Sequence, residues 1–243
     1  QNAMIVDSSA LPEQVTRDVV SSAFQSAGQR CSACRVIFLQ DDVADGIAEM
    51  IAGAMDALAV GDPASLATDV GPVIDSDAKK ALDEHLAWLG KHAKAIRRLD
   101  LPSAAKSGEF VAPAFYEIKR ISDLNRENFG PILHLIRFPS GGLAEVVAAI
   151  NATGYGLTLG LQSRIDTVRD FVQAQARVGN FYVNRNQIGA VVESQPFGGE
   201  GLSGTGPKAG GPHYVARFAT ERVTCIDTTA AGGNASLMAG LEG

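Results

Sequence analysis

The amino-acid sequence predicts an α/β fold, a mostly parallel sheet flanked by helices, and three observations carry that prediction. Turn-bounded apolar segments alternate along the chain with segments of helical period, the order that joins parallel strands through packed helices. The run Arg35-Val36-Ile37-Phe38-Leu39 is apolar at consecutive positions after its first residue, as in a strand covered on both faces. Stripes such as Val15, Val19, Ala23 and Ala27 recur every three to four residues, so the intervening helices have one face to bury.

The first strand is expected over 3–6, where Ala-Met-Ile-Val leads into Asp7-Ser8-Ser9. Those polar residues suit a cap, and Pro12 suits the first turn of a helix over 12–29. A buried strand over 35–39 follows, so Cys31 falls on the turn between helix and strand. Asp41 or Asp42 caps a helix to Leu58, and Asp75 or Ser76 caps another to His92 with Ala81, Leu82, Leu86 and Leu89 along one side. Between them Gly61-Asp62-Pro63 and Gly71-Pro72 interrupt any helix. Further strands are expected over 95–99, 110–118, 132–138, 157–161 and 180–183, with helices over 143–150 and 166–176. Segment 196–212 holds seven glycines and reads as a loop. Residues 214–226 are expected to form a last strand, and 230–243, rich in small residues, a flexible tail.

Composition narrows the function. With 20% charged and 46% hydrophobic residues among 243, the chain has the makings of a buried core. Its 27 acidic and 21 basic residues give a charge of −6, which argues against a nucleic-acid partner recognised through a basic footprint. No stretch approaches the ~18 apolar residues of a membrane span, and no secretory leader pattern opens the sequence. Three cysteines, an odd number, argue against a disulfide scaffold and for a reducing compartment, the cytoplasm. The sequence opens on Gln1-Asn2 and at once a strand, so it is expected to be a piece of something longer.

The most informative stretch is Gly28-Gln29-Arg30-Cys31-Ser32-Ala33-Cys34. A thiol on an exposed turn, near a cation and backbone N–H groups, can have a lowered pKa and attack a carbonyl as thiolate. The alternative for any cysteine is that of a small buried hydrophobe, and Cys34, entering a buried strand, takes that reading. Cys31 and Cys34 also form a Cys-x-x-Cys pair, which leaves a redox or zinc module open. The remaining Cys225 and the histidines at 85, 92, 134 and 213 supply no second paired spacing, so no metal is expected. Gly199-Glu200-Gly201-Leu202-Ser203-Gly204 satisfies G-x-G-x-x-G, but the glycines and prolines that follow prevent the helix a dinucleotide fingerprint must open. In Glu127-Asn128-Phe129, an extended backbone would project carboxylate and ring to one side, fit for ribose hydroxyls and a flat base or for solvent and core.

Taken in order, these motifs resemble those of the aldehyde dehydrogenases. Gly28-Gln29-Arg30-Cys31 is similar to the nucleophile motif, Glu127-Asn128-Phe129-Gly130-Pro131 to E-x-F-G-P, and Pro196-Phe197-Gly198-Gly199 to P-F-G-G. The segments 26–33, 182–192 and 201–212 look like one branch of that family, the L-glutamate γ-semialdehyde dehydrogenases, as at the C-terminal end of bifunctional proline utilisation proteins. The resemblance implies an aldehyde dehydrogenase catalytic domain in which Cys31 attacks a small-molecule aldehyde and hydride passes to NAD. It further implies that Glu127 holds the nicotinamide ribose, that Phe129 packs near the nicotinamide, and that Ser32, Gly189 and Ala190 anchor the substrate carboxylate. Phe197 would pack on the substrate's aliphatic chain. Asn128 and Glu193-Ser194 depart from the branch's pattern.

By the same resemblance, residues 1–212 are the catalytic domain, 213–229 a strand used in homo-oligomer assembly and 230–243 a C-terminal tail. The general-base glutamate and most of the NAD-binding domain are then expected before Gln1, and FAD only if the parent chain carries a proline dehydrogenase domain. Another aldehyde class and the Cys-x-x-Cys module are the alternatives.

Overall fold

The structure, a computed structural model, describes residues 1–191, 193–227 and 239–240. The first half runs β1 (Ala3–Val6), α1 (Pro12–Phe24), β2 (Val36–Gln40), α2 (Asp41–Asp56), α3 (Ser76–His92), β3 (Lys94–Arg98) and β4 (Ala114–Glu117). The second runs β5 (Ile132–Phe138), α4 (Leu143–Asn151), β6 (Tyr155–Gly156), β7 (Thr158–Gln162), α5 (Asp166–Gln175), β8 (Asn180–Val183) and β9 (Glu200–Gly201). Seven strands form one sheet in the order β3-β4-β5-β2-β1-β7-β8, and β6 pairs with β9 in a small second sheet. Every neighbour pair in the large sheet is parallel except β3 with β4.

β1 and β2 are buried at every position because helices leave neither face to solvent, which explains their unbroken apolar runs. Burying each of Ile5, Ile37 and Leu39 completely stabilises the fold by about 1.5–3 kcal/mol per side chain. α1 takes Pro12 in its first turn and buries Val15, Val19 and Ala23, the side predicted by spacing. α3 is capped by Asp75, whose carboxylate accepts from the Ala78 N–H at 2.7 Å. The two central strands position the site. Since β1, β2, β5 and β7 run parallel, the residues just before them, Asn2, 31–35, 127–131 and Leu157, line one edge of the sheet.

Three expectations are corrected. The helix expected to residue 29 ends at Phe24, and Ser26, Ala27 and Gly28 take successive left-handed φ values of 56°, 52° and 66°. The chain turns there so that Gly28 can meet Gly130, while Ala27 stays buried and so mimics helical periodicity. The strand expected over 110–118 pairs regularly only from Ala114, because Pro113 has no N–H for the ladder. Where a last strand is expected over 214–226, the described residues form a 3-10 turn over Val215–Phe218 followed by backbone outside any strand. A strand exists only against a neighbouring strand, and among the described residues none pairs with this segment.

Residues Gln1–Gly211 form one compact unit and Pro212–Gly243 a second. In the second, Val215, Phe218, Val223 and Ile226 are exposed. Most of the tail expected over 230–243 lies outside the described residues.

Candidate active site

Cys31 sits on the turn between α1 and β2, and its side chain is exposed. The turn is held from below by Asn2, whose Nδ2 donates to the carbonyls of Cys31 at 2.6 Å and Ala33 at 3.1 Å. The Oδ1 of Asn2 accepts from the Thr158 N–H at 3.3 Å, which fixes the turn against β7. Gln29 reaches outward, its Nε2 donating to Pro72 O and its Oε1 accepting from the Ile74 N–H. Cys34, three residues on, is fully buried, with its Sγ donating to Val36 O and burial pushing its thiol up to about 12. The two cysteines thus occupy opposite environments. Among the described residues no group of three or more His, Cys, Asp or Glu is arranged to hold a metal.

The side chain that organises the site is Arg35, a charged residue 1% exposed at the head of the buried strand. Its Nη1 donates to Gly28 O at 2.5 Å and to Gly130 O at 3.3 Å, and its Nη2 to Arg30 O at 3.2 Å. The guanidinium lies 4.8 Å from the centre of the Phe129 ring. Its Nε stands 3.7 Å from Glu127 Oε1, an ion-pair distance but too long for a hydrogen bond, so this buried donor has no hydrogen-bond acceptor. Burial lowers the pKa of Arg35 from the usual value, and the Glu127 carboxylate acts to raise it. Arginine remains a cation through such a shift.

Glu127 and Phe129 project together toward solvent while Asn128 between them is buried, as an extended segment requires. Asn128, a departure from the branch's pattern, is accommodated by donating to Arg126 O. Beside Glu127 lies a cavity of about 220 Å³, lined also by Leu124, Asn125, Thr153 and Tyr155. A partly exposed carboxylate and an exposed ring face, fixed by one buried cation, fit the ribose and base of a dinucleotide. A larger cavity, about 730 Å³, lies elsewhere, lined by Phe38, Phe138, Pro139 and Val146 beyond the opposite ends of β2 and β5.

On the other side of the turn, the buried Ser32 Oγ accepts from the Gly189 N–H at 3.0 Å. Thr158 Oγ1 donates to Ser32 O at 3.3 Å. Gly189 adopts φ +62° and its carbonyl accepts from Tyr182 OH at 3.1 Å, which fixes the loop on β8. Arg185 covers the Tyr182 ring at 4.7 Å. Ala190 follows, half-buried. Phe197 is placed separately: its backbone exchanges hydrogen bonds with Ala209, and Asn180 receives the Gly198 N–H and donates to Pro196 O. No hydrogen bond among the described residues joins Phe197 to Ser32 or Gly189.

The glycine-rich loop is held by close backbone contacts. A Cβ on Gly204 would fall 2.1 Å from Gly199 O, and β9 pairs within this loop to β6. Sequence reasoning missed Arg35 and Asn2. The only signal for Arg35 was a cation opening an otherwise apolar strand, and Asn2 gave none.

Comparison with known proteins follows the same lines. The model of the aldehyde dehydrogenase family matches residues 1–224. The chain is 51% identical over 226 residues to the bifunctional protein PutA of Salmonella typhimurium, covering 91% of this chain and 17% of that protein. A crystal structure of a mutant of Bradyrhizobium japonicum proline utilization A superposes with a TM-score of 0.90 at 56% identity, covering 95% of this chain and 23% of the other. A Thermus 1-pyrroline-5-carboxylate dehydrogenase with bound NAD gives a TM-score of 0.81 at 32% identity, covering 90% and 42%. The chain therefore spans about a sixth of the curated PutA relative.

Proposed function

The chain belongs to the aldehyde dehydrogenase family, and on that premise we propose that residues 1–212 are the catalytic domain of an NAD-dependent enzyme oxidising L-glutamate γ-semialdehyde to L-glutamate. The observation that carries this reading is the exposed Cys31 turn, tied through Arg35 to Glu127 and Phe129 on one side and through Ser32 to Gly189 on the other.

In the proposed reaction the Cys31 thiolate adds to the aldehyde carbon, a C–S bond forms, and the carbonyl oxygen becomes an oxyanion accepting from the backbone N–H of Cys31. NAD, when bound, supplies the hydride acceptor. Cys31 is left as a thioester, which water cleaves to release the carboxylate and restore the thiol. Glu127 would accept ribose hydroxyls, and Phe129 would pack beside the nicotinamide. Ser32 O–H and the Ala190 N–H would hold the substrate's α-carboxylate, with the Gly189 N–H supporting the serine oxygen. Phe197 would line the aliphatic path. The general base for the water and most of the NAD-binding domain would come from sequence before Gln1, and FAD would enter only through a proline dehydrogenase domain of the parent. Residues 213–229 would serve assembly into a homo-oligomer, to which their exposed apolar side chains lend support. Three free cysteines fit a cytoplasmic location, and no helix among the described residues is long and apolar enough to cross a membrane.

The test uses the full-length protein. Cys31→Ala should abolish NAD-dependent oxidation of glutamate semialdehyde, and Ser32→Ala should raise KM for that amino-acid aldehyde more than for a plain aliphatic one. Equal loss on Cys34→Ala, or stoichiometric zinc, would replace this reading with the Cys-x-x-Cys module. Equal KM changes for the two aldehydes would remove the carboxylate anchor.

A further inference from the structure

We propose that Arg35 is a positioning residue that sets the Glu127 carboxylate for the cofactor ribose and locks that setting to the nucleophile turn. The inference rests on the dinucleotide reading of the site and goes beyond it, because nothing in that reading needs a buried cation behind Glu127.

One guanidinium touches both motifs. Toward the nucleophile it serves the carbonyls of Gly28 and Arg30, which precede Cys31 by three residues and one. Toward the cofactor side it faces Glu127, the Phe129 ring and Gly130 O, three of four consecutive residues. Its own backbone is fixed as well, since Arg35 O accepts from the His134 N–H at 3.0 Å and from His134 Nδ1 at 2.8 Å. That ring in turn accepts at Nε2 from His85 Nε2, 2.9 Å away. The guanidinium is thus held at backbone and head alike, with little freedom to follow a shift of its neighbours.

The unsatisfied Nε–H is the informative atom. A buried charged donor without an acceptor is costly, and the carboxylate oxygen facing it, Glu127 Oε1, is 3.7 Å away on a partly exposed side chain. A carboxylate drawn inward by a few tenths of an ångström would complete that bond with one oxygen and leave the other for a ribose hydroxyl. Arg35 and Glu127 would then act as a unit in binding NAD, where two merely adjacent residues would act independently.

A double-mutant cycle in the full-length protein tests this, with the NAD dissociation constant read by fluorescence quenching and folding checked by melting. Arg35→Lys keeps one charge but cannot serve both motifs, and Glu127→Gln removes the anionic partner. Each should weaken NAD binding by about tenfold, the worth of one charge-assisted hydrogen bond. The double variant should be weakened by about the same tenfold rather than the roughly hundredfold product. Multiplicative losses, or Arg35→Lys binding NAD like wild type, would overturn the inference while leaving the proposed function in place. Wild-type protein that binds no NAD would overturn both. Should Arg35→Lys not fold, Arg35→Met, an apolar side chain of similar length, takes its place in the cycle. A protein that folds with neither would also overturn the inference, since Arg35 would then belong to the fold alone.

Discussion

Replacing Gly28 with alanine would test how closely the two motifs are joined. A Cβ built at Gly28 lies 2.1 Å from Gly130 O, 2.6 Å from the carbon of that carbonyl and 2.9 Å from Ala23 O. All three neighbours are backbone, so no side-chain rotation relieves the clash, and Gly130 O must retreat by about 0.9 Å to reach even the 3.0 Å limit. Gly130 is itself confined, because its own Cβ position falls 2.5 Å from the Leu82 methyls. The φ of +66° adds the left-handed penalty of about 1–2 kcal/mol to an overpacking cost of about 1–3 kcal/mol. A central value of about 3 kcal/mol corresponds to a melting point lowered by roughly 6–12 °C. Urea titration and thermal melting measure this directly, with Gly53→Ala as control. Gly53 sits in α2 with nothing within 4 Å of its Cβ position, so alanine there should stabilise by up to about 1 kcal/mol. If Gly28→Ala melted with wild type, or if the two substitutions shifted stability in the same direction, the close approach of the two motifs would be refuted.

Two further outcomes follow from the geometry. Iodoacetamide at neutral pH should label Cys31 in the native protein and spare Cys34, which is buried with its thiol raised to about 12; mass spectrometry showing early labelling of Cys34 would contradict its placement. Burial, with the neighbouring His85, lowers His134 to about 3, and burial with Arg126 lowers His85 to about 4, against about 6.5 in the unfolded chain. Their contribution to stability is therefore complete above the unfolded value and lost as pH falls toward the folded ones, because the unfolded chain takes up protons the native pair refuses. Urea titrations from about pH 7 to about pH 5 should show falling stability, with a shallower slope in His134→Gln, and equal slopes would count against a buried neutral pair.

Much of the sheet was legible because its strands are either wholly apolar or bounded by turn residues. β1, β5 and β8 match their expected limits, and α3 begins at the Asp75 cap and ends at His92. The misses have physical causes. Ala27 continued a helical stripe through a turn in which it is buried for another reason, and Pro113 silenced part of an apolar run. Over 214–226 a strand is expected, but among the described residues no strand pairs with this segment. At the site, the short motifs were legible one by one, but not the side chain between them. Arg35 is four residues from Cys31 in sequence yet 92 from Glu127, and only the parallel pairing of β2 with β5 brings the segments together.

The central place of β1 bears on how the chain is made. Ala3 lies opposite Val36 on one side and Leu159 on the other, so its second neighbour is encoded more than 150 residues later. At about 5–20 residues per second, a ribosome would need roughly 8–30 s to deliver that neighbour. During this interval β1 can have only one of its two sheet neighbours, and an unpaired strand edge is a template for pairing with another chain.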